Sequence, residues 1–221
     1  MVTLCWAAKG GSGTTVVAAA LALSSQRPSL LVDLDGELPA VLGLPEPDRP
    51  GVAEWLASDT SADHLAELLV DIGPRVWLLP WRSATSAHGR HHVDDHDVRW
   101  STLGHWLHDW SNQWGCDVTV DVGTRVPPEP LAARSDRSLL VTRPCYLSLR
   151  RAVRSGVRPT GVILVDEPGR GLGQRDIEHA IGVPVEAVIS VDPGVARAVD
   201  AGLLASRLPR VMTRALRSAA A

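Results

Sequence analysis

Residues 9–15 read Lys-Gly-Gly-Ser-Gly-Thr-Thr: three glycines and three hydroxyls beside the only lysine of the chain. They follow an apolar run at residues 2–8 and lead into an alanine-, valine- and leucine-rich stretch at 14–26. Glycines in such a turn let the backbone wrap closely around a ligand, and a helix that starts there presents free N–H groups and the positive end of its dipole. The chemistry this predicts is anion binding, and specifically phosphate binding. All other basic residues are arginines, so the one compact ammonium of Lys9 falls where a phosphate contact would use it. Against the pattern G-x-x-x-x-G-K-[ST], residues 8–15 lack the first glycine, and Thr14 stands where the lysine belongs. They keep Gly13 and the Thr15 hydroxyl, the group that reaches Mg²⁺ in such loops. Three aspartates complete the set: Asp33 and Asp35 close the run at 29–35, and Asp121 lies in the run at 117–123.

Positioning these groups requires strands that end together. Apolar runs at 2–8, 29–35, 76–80, 117–123, 138–144, 160–168 and 185–193, with helical patterns between them, predict parallel strands joined by crossover helices. The expected architecture is α/β: a doubly wound, mostly parallel sheet of about seven strands with helices on both faces, in one domain over residues 1–221. In such sheets ligands sit beyond the carboxyl ends of the strands, where the glycine turn, Asp35 and Asp121 all fall.

The resemblance is to the ParA/MinD family of P-loop ATPases. Lys9 to Thr15 resembles its deviant Walker A motif, K-G-G-x-G-K-[ST], in which an additional lysine opens the motif, here Lys9. Residues 30–44 are similar to the second strand and switch I, 114–124 to the Walker B strand, 135–144 to the strand that follows, and 183–202 to the last strand and adenine-side loop. The resemblance implies the P-loop NTPase fold and binding of ATP with Mg²⁺. It further implies that Gly10, Gly11, Ser12, Gly13 and Thr14 offer backbone amides to the phosphates, and that Thr15 and Asp121 serve the metal. Asp35 would belong to the metal site and orient the attacking water, with Asp33 in support, and Lys9 would reach the phosphates of the partner in an ATP-bound homodimer.

Thr14 is the departure. In the family a lysine there meets the β- and γ-phosphates, so its loss predicts weak binding and weaker hydrolysis. Lysine-poor loops of this kind resemble those of the CpaE/TadZ branch, which helps to localise Flp (Tad) pilus assembly. The implied function is a nucleotide-dependent dimeric switch that positions a cellular machine, whether a pilus or secretion apparatus, a septum or a chromosome, through a protein partner. The alternative is a non-hydrolysing scaffold of the same fold.

Other features carry less. The cysteines Cys5, Cys116 and Cys145 have neither metal-ligand spacing nor a disulfide framework, and are read as reduced and mostly buried. Residues 88–97 hold four histidines and three aspartates, but in a stretch, 84–98, that reads as a surface loop rather than a metal site. A helix at 99–114 places Trp100, Leu103, Trp106, Leu107, Trp110 and Trp114 on one arc, a face for the sheet or for a partner. Residues 209–221 predict a basic amphipathic helix, of the kind that lies on an anionic membrane or, more ordinarily, docks on its own domain. Arg143, Arg150, Arg151, Arg154 and Arg158 form a basic cluster suited to non-specific DNA, weighed against a net charge of −3. No leader precedes the first strand and the apolar run at 16–23 is too short to span a bilayer, which predicts a cytoplasmic protein.

Overall fold

A computed structural model describes residues 1–82, 97–217 and 219. In chain order the elements are β1 (Val2–Trp6), α1 (Thr14–Ser24), β2 (Ser29–Asp33), α2 (Leu38–Leu42), α3 (Val52–Leu56), a 3₁₀ helix (Ala62–Leu68), β3 (Val70–Gly73), β4 (Val76–Leu79), α4 (Asp97–Trp114), β5 (Asp117–Gly123), α5 (Glu129–Ala132), β6 (Arg137–Thr142), α6 (Tyr146–Arg154), β7 (Gly161–Asp166), α7 (Gln174–Ile181), β8 (Val185–Ser190), α8 (Pro193–Asp200) and α9 (Arg210–Leu216).

One eight-stranded sheet in the order β3-β4-β2-β5-β1-β6-β7-β8 runs through the chain. All pairings are parallel except β3 with β4. The five residues of β1 and of β2 are fully buried, as continuous apolar runs covered on both faces demand. The extra strand relative to the expected seven is β3. It is a short, largely exposed edge strand that turns into β4 through Arg75 at φ 66°, and its Asp71 and Gly73 give it no apolar run to read.

Two buried layers flank the sheet. One gathers Leu4, Trp6, Leu30, Val32, Val118 and Val120 with Trp100, Leu103 and Leu107 of α4. The other gathers Cys5, Leu31, Leu139 and Ile163 with the small residues of α1 and with Leu204, Met212 and Leu216. Alanines at 18, 19, 20 and 22 let α1 lie close to the strands, and α9 packs onto both α1 and β8. The C-terminal helix thus spends Met212 and Leu216 on its own domain, with Val211 and Ala215 half-buried beside them. In the same layer α2 ends at Gly43 with φ 73°, directly against Gly202: a Cβ at 43 would come within 2.1 Å of the Gly202 carbonyl oxygen.

On α4 the expected arc is buried at Trp100, Leu103 and Leu107 and half-buried at Trp106 and Trp110, but Trp114 is 56% exposed. It stacks on Trp110, which stacks on Trp106, with ring centroids 5.6 and 5.1 Å apart. The expected surface loop at 84–98 lies outside the described residues except for Asp97 and Val98, which already belong to α4, and its histidines fall outside them with it. No helix among the described residues is long and apolar enough to cross a membrane.

Candidate functional site

The glycine turn sits between the end of β1, at the centre of the sheet, and the start of α1. Gly11 (φ 76°) and Gly13 (φ 85°) both take left-handed backbone conformations, which is why side-chain-bearing residues do not serve there. Gly13 is the N-cap of α1, with no side-chain cap, so the first N–H groups of the helix remain available to a ligand. The Ser12 hydroxyl faces inward and donates to the Lys9 carbonyl at 2.8 Å, closing the turn on itself. Gly10 and Gly11 are exposed, Thr14 is buried and Thr15 is half-buried. The Lys9 ammonium lies 3.5 Å from the Gly10 carbonyl oxygen.

The acids come together beside this turn because the strands that carry them are neighbours in register. Asp33 of β2 is the pairing partner of Asp121 of β5, and Asp121 in turn faces Cys5 of β1. Both aspartates are fully buried. Asp33 is spent on its own backbone: Oδ1 accepts from the N–H groups of Asp35 (3.1 Å) and Gly36 (2.7 Å), and Oδ2 from that of Leu38 (3.3 Å). It therefore fixes the turn that presents Asp35. Burial nevertheless pushes its carboxyl up to about 6.

Asp121 is different. Its Oδ1 accepts from the Gly123 N–H at 3.0 Å, while Oδ2 is buried with no hydrogen-bond partner. Burial raises this carboxyl to about 7; the neighbouring Thr15 hydroxyl offsets part of the shift, and the charges of Asp33 and Asp35 add to it. An unpartnered buried carboxylate oxygen is costly unless a cation or donor completes it. With the Thr15 hydroxyl beside it, the donor set fits a hard divalent cation that draws its remaining ligands from phosphate and water.

Asp35 stands half-buried above Gly123, where a Cβ would lie 2.1 Å from its carboxyl carbon. Burial holds its pKa above the ordinary value, with Arg125 offsetting only part of the rise.

Four residues in this site gave no sign of themselves in the sequence. Gly123 (φ 69°) makes room for Asp35. Arg125 donates to the Leu34 carbonyl and lies over the Trp81 ring, 5.2 Å from its centroid. Trp81 itself leaves the end of β4 to reach the Asp35 turn, where it contacts the space above Gly36. Cys145 caps α6, and its thiol pKa is lowered, chiefly by the Ser148 backbone N–H and in smaller part by Lys9. A residue that acts from a turn after a strand leaves no periodic trace, so only three-dimensional placement reveals these. Cys5 and Cys116 are buried, and all three cysteines are free.

Arranged this way, a glycine turn opening a central helix, with two acids at the tips of adjacent strands, can hold an anionic ligand together with its counter-cation. Known structures repeat the fold across the whole chain. A ParA family ATPase from Chlorobium tepidum superposes with a TM-score of 0.75 over 99% of this chain and 96% of its own, at 21% identity. The fold is that of ParA and MinD. MinD of Pyrococcus horikoshii, solved with Mg-ADP, gives a TM-score of 0.72 at 21% identity over 99% of this chain and 93% of its own. A Cyanothece McdA variant solved with ATP gives 0.70 at 18% identity over 99% and 96%. No protein-family model matches the sequence, and no curated protein matches it significantly. The likeness to ParA and MinD thus lies in the path of the backbone rather than in residues shared along it.

Proposed function

We propose that the chain binds ATP with Mg²⁺ in the glycine turn and works as a nucleotide-dependent dimeric switch in the spatial positioning of a cellular machine. The observation that carries this reading is the orphaned, buried Oδ2 of Asp121 beside the Thr15 hydroxyl, at the mouth of the uncapped N-terminus of α1. In this reading the backbone amides from Gly10 to Thr14 hold the phosphates, Thr15 and Asp121 hold the metal with Asp35 close by, and Asp35 orients water. Bound Mg²⁺ supplies charge neutralisation between the phosphates. In this reading Lys9, half-buried and held by a single long contact to a carbonyl, reaches the phosphates of a second copy.

Thr14 makes hydrolysis weak. Removing a buried cation opposite an anion costs on the order of 2 to 5 kcal/mol, and the largest share falls where charge builds up in the transition state. The same observation supports a second reading, a scaffold that binds nucleotide without turning it over and recruits partners. The lysine-poor loop favours a pilus or secretion machine of the CpaE/TadZ kind as cargo. The arginines of α6 are exposed and available for DNA, whereas the apolar side of α9 is already occupied, which argues against that helix as a membrane anchor.

Calorimetry with Mg-ATP tests the reading. Wild type should bind, with weaker binding in Lys9→Ala and loss of Mg²⁺ dependence in Asp121→Asn. A wild type with no measurable affinity overturns it, and equal affinities for wild type and Lys9→Ala remove the role given to the lysine.

A further inference from the structure

We propose that Arg125 supplies, from within the same chain, the positive charge toward the terminal phosphate that Thr14 does not carry. The inference rests on the nucleotide reading above and adds a specificity-determining residue to it.

The turn that follows β5 lies over the glycine turn. The Gly123 carbonyl accepts from the Ala7 N–H at 2.8 Å, and a Cβ at Gly10 would meet the Thr124 methyl at 4.0 Å. Arg125 follows directly, and its guanidinium turns back toward the Asp35 segment, donating to the Leu34 carbonyl and lying over Trp81. Both of these partners are uncharged. Among the described residues no carboxylate comes within ion-pair distance of Arg125, yet its field reaches the Asp35 carboxyl. A guanidinium held by a carbonyl and an indole keeps its full charge for an incoming anion, and releasing it leaves no buried countercharge behind.

Its side of the site matters as much as its charge. Arg125 is anchored to Leu34 and Trp81, which follow β2 and β4 on the Asp35 side of β1. The cation beside Asp35 is therefore Arg125. Two buried acids and a half-buried third crowd this end of the sheet. A triphosphate adds further negative charge there, which a fixed, permanently ionised fork is suited to balance.

The test compares ATP and ADP affinities, with Mg²⁺, in wild type, Arg125→Gln, Arg125→Lys, Thr14→Lys and the double variant Thr14→Lys/Arg125→Gln, alongside thermal melting of each. Loss of a charged hydrogen bond should weaken ATP binding by about tenfold or more in Arg125→Gln while changing ADP binding by less than about threefold. Arg125→Lys should keep the preference for ATP. Thr14→Lys should restore ATP binding to the Arg125→Gln background, because a lysine there meets the same phosphate. Equal losses for ATP and ADP, no loss for either, or no restoration in a double variant that melts like wild type each overturn the proposal. If Arg125→Gln does not fold, Arg125→Ala takes its place under the same criteria. A wild type that binds neither nucleotide defeats the nucleotide reading itself; ATP binding indifferent to Arg125 defeats only this inference.

Discussion

The carboxyl group of Asp35 occupies the space in which a side chain at Gly123 would stand, with only 2.1 Å between its carbon and a Cβ built there. Gly123 also has φ 69° and bonds through its carbonyl to the Ala7 N–H just ahead of the glycine turn. The three segments of the candidate site are thus locked through one residue without a side chain.

Gly123→Ala should therefore displace Asp35 as well as strain the backbone. We expect a stability loss on the order of 1 to 3 kcal/mol, measured by denaturant unfolding, together with loss of any ATP turnover. Retention of both wild-type stability and turnover would show that Asp35 is not held by this contact.

The buried acids give ligand-free stability a definite pH dependence. Asp33 and Asp121 have folded pKa values of about 6 and about 7, against an ordinary value of 3.8. An acid raised in this way favours the fold below its unfolded pKa, and that contribution is lost as pH climbs through the folded value. Melting temperature without nucleotide should consequently fall from about pH 4 to about pH 7 as far as these groups govern it. Asp121→Asn should melt higher than wild type at pH 8 and not at pH 5. The opposite ordering would mean that the carboxylate is already compensated in the free protein.

Thr14→Lys returns a cation to the loop. Turnover of ATP should rise by about tenfold or more if Asp35, Asp121 and Thr15 are otherwise competent. Robust hydrolysis by wild type, measured as phosphate release, would contradict the account of Thr14.

Met212 and Leu216 anchor α9 in the layer over α1. Replacing either with alanine should cost about 2 to 5 kcal/mol by denaturant unfolding, and wild type should not float with anionic vesicles. Flotation that is lost in these variants would mean that the helix leaves the domain to use its apolar side on lipid.

The central strands were legible because β1, β2, β5, β6 and β7 are largely buried and read as mostly apolar runs. Residues 9–15 and the acids Asp33, Asp35 and Asp121 were legible as candidates for a related reason: each lies at or near the carboxyl end of such a run, and the ends of buried parallel strands converge. The edge strand β3 was not, since an exposed strand needs no apolar alternation and Asp71 and Gly73 interrupt it. Nor were Arg125, Trp81 and Gly123, whose importance comes from turns meeting across β2, β4 and β5. The tryptophan arc of α4 divides between the two faces the sequence offered: Trp100 packs on the sheet, while Trp114 is exposed because a helix longer than the surface it covers runs out of partners at its end.

Where Gly43 meets Gly202, two stretches of main chain touch with no side chain between them to yield or re-pack. The first stretch descends from the Asp35 turn through α2, and the second closes α8 and leads to α9. A side chain at Gly43 would force the two stretches apart, so the seating of the carboxy-terminal helices against the segment that follows the acid's turn is set by main chain alone.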